Sequence, residues 1–234
     1  ILNSLIRYYR KTILENNLIV DKINHLTNNS ILKLDNKKIK KYSLKNILGN
    51  GDFGYTYDVG NKMVLKAIDI SPFRISDINN KFFNLQNIID EINIMNTLNE
   101  SNISPKLIDT WIYNNKQTLY VYILMEHKGI SLSEWLKTNV LDDTDNEKIK
   151  NKIEELHTYN IIHKDLHQSN ILVDEIDGNK EFFIADFGLS KTFKQIIENF
   201  KKEDYKRPII KNDNIKTDYI KEILFLLDLK FIKM

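Results

Sequence analysis

Residues 161–170, Ile-Ile-His-Lys-Asp-Leu-His-Gln-Ser-Asn, constrain the fold of this chain more than any other stretch. An apolar lead-in is followed by a short polar turn that carries a carboxylate, Asp165, and an amide, Asn170, five positions apart. This spacing suits a turn that aims the carboxylate at a substrate proton and the amide oxygen at a metal ion. Taken alone, the stretch suggests a catalytic turn.

A second acid follows in Asp186-Phe187-Gly188, directly after an apolar run over residues 182–185. That run reads as a buried strand, and with residues 171–173 it predicts a hairpin over the Asp177-Gly178 turn. Two oxygen ligands and a base in one place are typical of a phosphate-handling site. Three residues are expected to converge on one cleft floor: Asp165, Asn170 and Asp186.

A glycine-rich run and a lysine lie nearer the N-terminus. Residues 49–54, Gly-Asn-Gly-Asp-Phe-Gly, either form a plain hairpin or let backbone amides approach phosphate oxygens, with Phe53 folded over them as a lid. Lys66 sits in the middle of a predicted strand, where an ammonium is costly to bury without a counter-charge. Glu91 lies in the apolar stripe of a predicted helix and is its expected partner. The pair is either purely structural or holds Lys66 toward phosphates.

Hydrophobic periodicity predicts the remaining elements. Five strands are expected over residues 42–48, 55–59, 63–70, 107–113 and 118–125. Helices are expected over residues 2–14, 79–99, 131–138 and 145–159, the last with Thr144 or Asp145 as its cap. Residues 126–129 break the strand pattern and look like a linker. The predicted fold is α+β with two lobes, an antiparallel five-stranded sheet with one long helix followed by a reduced, mostly helical lobe.

Composition and charge exclude several classes of protein. Thirty-four basic and 32 acidic residues leave a formal charge of +2, so a nucleic acid is not expected as a partner. Without cysteine there is no disulfide framework, thiolate zinc site or cysteine nucleophile, which fits an intracellular compartment. Every apolar run falls short of the roughly 18 to 20 residues of a membrane span. Heavy use of Asn, Ile and Lys suggests an A/T-rich genome, such as that of a large DNA virus or a protist.

Together these motifs resemble the signature set of the eukaryotic-like protein kinase superfamily over about residues 42–190. The resemblance implies an enzyme that uses ATP and Mg²⁺. Lys66 would bind the α- and β-phosphates with Glu91 as its anchor, and Asp165 would take the proton of the acceptor hydroxyl. Asn170 and Asp186 would hold Mg²⁺.

The same resemblance implies a nucleotide site. Met125 would guard the back pocket, and the main chain of Glu126 and His127 would meet the adenine. The residues expected to contact the nucleotide are Leu48, Gly49, Asn50, Gly51, Phe53, Gly54, Lys66, Met125, Glu126 and His127.

The departures from the family pattern leave alternatives open. Lys164 replaces the usual arginine, and His167 stands where serine/threonine kinases have lysine, which resembles the His-Gly-Asp-Leu-His pattern of small-molecule phosphotransferases. No Ala-Pro-Glu follows, and Asp218 is the candidate brace below the catalytic turn. A small-molecule or RNA-associated phosphotransferase and a catalytically weak pseudokinase or scaffold are therefore the alternatives. Zinc ligation by the histidines is disfavoured, because His163 at this position normally packs structurally.

The sequence thus predicts a short, divergent kinase of three parts: a helical extension over 1–41, an N-terminal lobe over 42–125, and a hinge with a reduced C-terminal lobe over 126–234. The expected reaction is transfer of the ATP γ-phosphoryl group to a serine or threonine hydroxyl of a protein. The basic stretch from Lys201 to Lys211 is expected to be a solvated surface. A partner protein is expected to complete the short lobe, and the expected location is the cytoplasm of the cell or a viral host, or the virion.

Overall fold

A computed structural model describes residues 32–51, 54–70, 85–114 and 118–196. The chain divides into two compact units. The N-terminal unit is formed by Ile1–Ile92 and Lys106–His127, and the C-terminal unit by Asn93–Pro105 and Lys128–Met234. Each unit is described by itself below.

A six-stranded sheet dominates the N-terminal unit. In spatial order its strands are β1 (Lys33–Leu34), β5 (Leu107–Asn114), β6 (Leu119–Glu126), β4 (Met63–Asp69), β3 (Gly54–Gly60) and β2 (Asn46–Gly51). Strands β2 to β6 pair antiparallel with their neighbours, whereas β1 pairs parallel with β5. The helix α1 (Leu85–Thr97) follows β4 in the described chain, and Glu91 on it contacts Lys66 on the sheet.

Alternation along the strands separates the two faces of this sheet. Lys66 on β4 faces α1, and its neighbours Leu65 and Ala67 face the opposite side. That opposite side is an aromatic face, in which Trp111 and Tyr122 stack with their ring centroids 5.2 Å apart. Burial raises the pKa of the Tyr122 phenol, with smaller effects from the neighbouring tyrosines.

The predicted antiparallel five-stranded sheet is confirmed as β2 to β6. The sixth strand, β1, was not predicted, because two residues are too few to show a period of two. It lies within the segment 1–41 that the sequence predicts as a helical extension; the described part of that segment forms β1 and a 3₁₀ turn (Lys38–Lys41) instead. The 3₁₀ turn ends at Lys41 with Tyr42 as its C-cap, and β2 begins at Asn46 rather than at the predicted position 42. The domain limits themselves stay predictions.

The described part of the C-terminal unit contains the helices α2 (Leu132–Trp135) and α3 (Asp143–Thr158), together with two small sheets. One sheet has the order β10 (Asn179–Ile184), β9 (Ile171–Ile176), β7 (Ile130–Ser131), and the other pairs β11 (Lys191–Thr192) with β8 (Ile161–Ile162). The predicted hairpin over Asp177-Gly178 is present as β9 and β10, and a 3₁₀ turn (Gln168–Asn170) leads into β9.

Both helices of the C-terminal unit differ from their predicted bounds. The helix expected over 131–138 is the single turn α2, with Ser131 as its cap. The helix expected from 145 begins two residues earlier because its cap is Asp142, which accepts the Asp145 N–H while the Asp145 carboxylate accepts the Asp142 N–H. This reciprocal capping box corrects the predicted cap at Thr144 or Asp145.

Several predictions fall outside the described residues. These are the helix over residues 2–14, the basic stretch 201–211, the brace at Asp218, and the apolar run 220–232. Within the part of the chain that the structure describes, every helix is too short or too polar to cross a bilayer.

Candidate active site

Lys66 and Glu91 form the pair that the sequence predicts in the N-terminal unit. Lys66 lies in the middle of β4, between Thr56 on β3 and Ile123 on β6. Its Nζ is 2.6 Å from Glu91 Oε1, and the two side chains are only 13% and 4% exposed. Because both charges are largely withdrawn from water, each compensates the other. The pair holds the ammonium at one place on the sheet.

The glycine-rich run joins β2 to β3, with Gly51 opposite Gly54. The register shifts between Ile47 and Gly49, so Leu48 lies at a bulge, where it is about half exposed. A Cβ on Gly54 would lie 1.9 Å from the Ala67 carbonyl oxygen, so this glycine is required by the packing of β3 on β4. Phe53 lies outside the described residues, and its predicted role as a lid stays a prediction.

The linker offers fewer hydrogen-bond donors to an adenine than the sequence suggests. The Glu126 N–H donates to the Lys106 carbonyl (3.0 Å), and the His127 N–H donates to the Lys62 carbonyl (2.9 Å). Met125 is paired with Val64 across β6 and β4. Both N–H groups are thus used inside the N-terminal unit. The predicted contact of the Glu126 and His127 main chain with adenine stays a prediction.

The catalytic turn of the C-terminal unit begins directly after β8. His163 is fully buried, and its Nε2 lies 3.0 Å from the Ala185 carbonyl oxygen. Lys164 follows in a left-handed conformation (φ 69°), and partial burial, with a smaller effect of the Lys191 ammonium, lowers its pKa. Asp165 comes next, with 47% of its side chain exposed. The turn therefore presents Asp165 to solvent from a buried support.

Asn170 and His167 fold back onto Asp165. The buried Asn170 donates from Nδ2 to the Asp165 carbonyl oxygen (2.8 Å). The Ser169 N–H donates to His167 Nδ1 (3.2 Å). His167 Nε2 lies 3.1 Å from Asn170 Nδ2 and 3.8 Å from Asp165 Oδ2. The imidazole therefore contacts the Asn170 amide and lies near the Asp165 carboxylate.

Asp186 is held next to this turn by the β9–β10 hairpin. The Ala185 N–H donates to the Asn170 carbonyl (2.9 Å), which fixes the end of β10 beside the start of β9. Asp186 is left-handed (φ 61°), and its Oδ1 accepts the Gly188 N–H (3.4 Å). A left-handed non-glycine residue costs on the order of 1 kcal/mol, and aspartate adopts this conformation more readily than most residues.

The two predicted metal ligands fit a magnesium ion. Because Asn170 Nδ2 is held by the Asp165 carbonyl, its Oδ1 is the atom that remains for a cation, and Asp186 adds a carboxylate; both are hard oxygen donors. Among the described residues, no group of three or more His, Cys, Asp or Glu side chains is arranged to hold a metal ion. An amide and one carboxylate suit Mg²⁺, which usually takes few protein ligands and completes its shell with water and phosphate oxygens.

The predicted site residues thus form two groups. Lys66 and Glu91 meet in the N-terminal unit; Asp165, Asn170 and Asp186 gather in the C-terminal unit. The convergence of these two groups on one nucleotide stays a prediction.

Three contacts of the C-terminal group were not predicted. The hydroxyl of the buried Ser190 donates to the His163 carbonyl (3.0 Å), and its N–H donates to the Phe187 carbonyl (3.0 Å), so Ser190 ties the turn to the Asp186 segment. The Ser133 and Ser169 hydroxyls also meet, at 3.2 Å. Serine carries no periodic or charge signal, and none of these contacts can be found from sequence spacing.

A sheet-borne lysine paired to a helix glutamate, and a turn with an acid and an amide, are the parts used by phosphoryl-transfer enzymes. The model of the protein kinase domain family matches residues 42–214. The chain belongs to this family.

Three relatives illustrate the likeness. A probable serine/threonine-protein kinase of Dictyostelium discoideum is 30% identical over 156 residues, which cover 64% of this chain and 32% of that protein. Myosin light chain kinase A of the same organism is 28% identical, covering 68% and 53%. Calcium/calmodulin-dependent protein kinase type 1 of Caenorhabditis elegans is 27% identical, covering 65% and 44%. The chain thus spans about a third to a half of the length of these relatives. The viral origin suggested by composition stays a prediction.

Proposed function

We propose that the chain is a protein kinase that transfers the γ-phosphoryl group of Mg²⁺-bound ATP to a serine or threonine hydroxyl of a protein, inside the cell. The proposal rests on the buried pair of Lys66 and Glu91, since a lysine held in this way is placed to neutralise phosphate charge rather than to seek solvent. Asp165, half exposed on a buried support, is the group that would orient the acceptor hydroxyl and receive its proton.

Two further points support the proposal. Asn170 and Asp186 present two oxygen ligands next to Asp165, and Mg²⁺ bound there would neutralise charge on the phosphates. By name, the three relatives are a probable serine/threonine-protein kinase, a myosin light chain kinase and a calcium/calmodulin-dependent protein kinase. These names favour a protein acceptor.

Transfer from radiolabelled ATP tests the proposal, with a generic protein and the chain itself as acceptors, in the presence and absence of Mg²⁺. Asp165→Asn should lower the rate about 100- to 10,000-fold, the range of general-base catalysis. Asp177→Asn, at the exposed hairpin turn of the same unit, is the matched control and should keep the wild-type rate. Full activity of Asp165→Asn would contradict the assigned role.

A small-molecule phosphotransferase is the second candidate, and His167 is the observation that favours it. The imidazole is built into the turn between Asp165 and Asn170, in place of a lysine that would extend toward phosphate. Transfer to a panel of small hydroxyl compounds with none to protein would select this candidate. If no acceptor is modified and ATP does not shift the thermal midpoint, the chain is a non-catalytic binding module.

A further inference from the structure

Residues 32–42, which we call the cover segment, extend the six-stranded sheet and then pack on its aromatic face. At the start of the segment, β1 pairs with β5, and the Asp35 N–H donates to the Ile112 carbonyl (2.9 Å). At its end, Ile39 and Tyr42 pack against the buried cluster of the aromatic face. The cover segment is therefore attached to the sheet both by backbone hydrogen bonds and by apolar packing.

Trp111 on β5 is the residue that the cover segment contacts most extensively. The Tyr42 ring stacks on it, with the ring centroids 5.8 Å apart and the planes inclined by 23°. Lys38 Nζ lies 5.0 Å from the centroid of the Trp111 ring and also pairs with Asp109 on the same strand. Stacked rings and a cation beside a ring attract each other. The position of the Trp111 ring thus depends on the cover segment.

The strand register leads from Trp111 to the strand that carries Lys66. Trp111 pairs with Tyr122 on β6, and Tyr122 pairs with Ala67 on β4, so the three residues lie in one row across the sheet. Ala67 directly follows Lys66, and successive side chains of a strand point to opposite faces. Ala67 accordingly belongs to the aromatic face, whereas Lys66 contacts Glu91 on the other face. Because a close-packed interior transmits strain, loosening of the aromatic stack should loosen β4.

We propose that Tyr42 and Trp111 are positioning residues for Lys66, which hold β4 from the face opposite to the Lys66 ammonium. Glu91 fixes the ammonium from its own face, and the aromatic stack fixes the strand behind it. The inference rests on the proposed function, because it concerns the lysine that would neutralise phosphate charge. The cover segment thereby sets the affinity for the phosphates of the nucleotide and not the affinity for its adenosine part.

Binding of ADP with Mg²⁺ and of adenosine to the full chain, measured by isothermal titration calorimetry, tests the inference. Tyr42→Leu keeps an apolar side chain but removes the ring. It should weaken ADP binding about three- to tenfold, the change that one lost aromatic pair corresponds to, and leave adenosine binding unchanged. Tyr42→Phe keeps the ring and should restore the ADP affinity. Lys40→Ala, at an exposed position of the same 3₁₀ turn, is the matched control and should bind ADP like the wild type.

A double variant shows whether the effect passes through Lys66. When Lys66→Met and Glu91→Leu are already present, Tyr42→Leu should weaken ADP binding no further, because the positioned group is gone. A loss of the same size in that background would overturn the inference. Wild-type ADP affinity in Tyr42→Leu, or an equal loss of ADP and adenosine affinity, would overturn it as well.

Amide hydrogen exchange separates a failure of the inference from a failure of the proposed function. The Lys66 amide should exchange faster in Tyr42→Leu than in Tyr42→Phe, and this measurement needs no nucleotide. If the wild type bound no ADP, the proposed function would fail, while faster exchange would still support the positioning of β4 by the cover segment. An unchanged exchange rate at Lys66 would overturn that positioning whether or not ADP binds.

Discussion

The Lys66 ammonium and the Glu91 carboxylate lie 2.6 Å apart and are almost completely withdrawn from solvent. Removal of one partner takes the opposite charge away from a buried side chain, which is costly. Lys66→Met should therefore not only stop phosphoryl transfer but also lower the free energy of unfolding by about 3 kcal/mol. Urea denaturation followed by circular dichroism measures the loss.

A double variant separates the two effects of this pair. Lys66→Met with Glu91→Leu replaces both charges by apolar side chains, an exchange that is often neutral for stability. It should recover most of the lost free energy of unfolding while phosphoryl transfer stays absent. If transfer returned together with stability, the pair would be structural only, and Lys66 would have no part in binding phosphates.

Two lysine–carboxylate pairs of the C-terminal unit should differ in their contribution to stability. Lys180 Nζ hydrogen-bonds to Asp145, whose side chain is 1% exposed, whereas Lys137 pairs with Glu134 at the surface. Lys180→Met leaves the Asp145 carboxylate buried with only the Asp142 N–H as a donor and should cost about 2 kcal/mol. Lys137→Met, the matched control, should cost less than about 0.5 kcal/mol. Equal thermal midpoints for the two variants would contradict this ranking.

The strands were predictable where the apolar pattern is long enough to be read. The strand predicted over 63–70 is observed as β4, one residue shorter, and it was recognisable because two apolar residues flank Lys66 on each side. The two-residue β1 carries no such pattern. The cap of α3 was missed for a different reason: residues 142–145 are Asp-Asp-Thr-Asp, all good caps, and only the reciprocal bonds of Asp142 and Asp145 distinguish them.

The charged members of the candidate site were predictable because burial of a charge demands a partner. This requirement predicts from the sequence alone that Glu91 is the partner of Lys66. Backbone hydrogen bonds, in contrast, cannot be predicted from the identity of the side chains. The Glu126 and His127 N–H groups donate to the carbonyls of Lys106 and Lys62, which only the folded sheet brings into reach.

The cap of α3 should make stability depend on acid pH. The N–H of Asp145 and, more weakly, the Lys180 ammonium hold the pKa of Asp142 below its ordinary value near 4. A carboxyl whose folded pKa is lowered stabilises the fold above its unfolded pKa, and this contribution is lost as the pH falls through the folded pKa. Asp142→Asn keeps a capping oxygen that cannot titrate in this range.

The difference in thermal midpoint between pH 7 and pH 3 measures this contribution. It should be smaller in Asp142→Asn than in the wild type. Asp143→Asn, in the same helical turn but not in the capping box, should keep the wild-type difference. Equal differences in all three proteins would remove Asp142 from the acid response.

Two glycines of the same glycine-rich run should respond in opposite ways to substitution by alanine. A Cβ on Gly54 would lie 1.9 Å from the Ala67 carbonyl oxygen, at a backbone φ of +148°, so β3 and β4 must separate locally to admit it. Gly54→Ala should therefore lower the free energy of unfolding by about 3 kcal/mol. A Cβ on Gly49 meets nothing within 4 Å, and alanine there reduces the entropy of the unfolded chain. Gly49→Ala should be neutral or stabilising by about 0.5 kcal/mol. Faster amide exchange at Ile68, which pairs with Gly54, would show that Gly54→Ala disrupts the pairing of β3 with β4. Equal stability of the two variants would mean that the spacing of these glycines serves nucleotide binding alone and not the packing of the sheet.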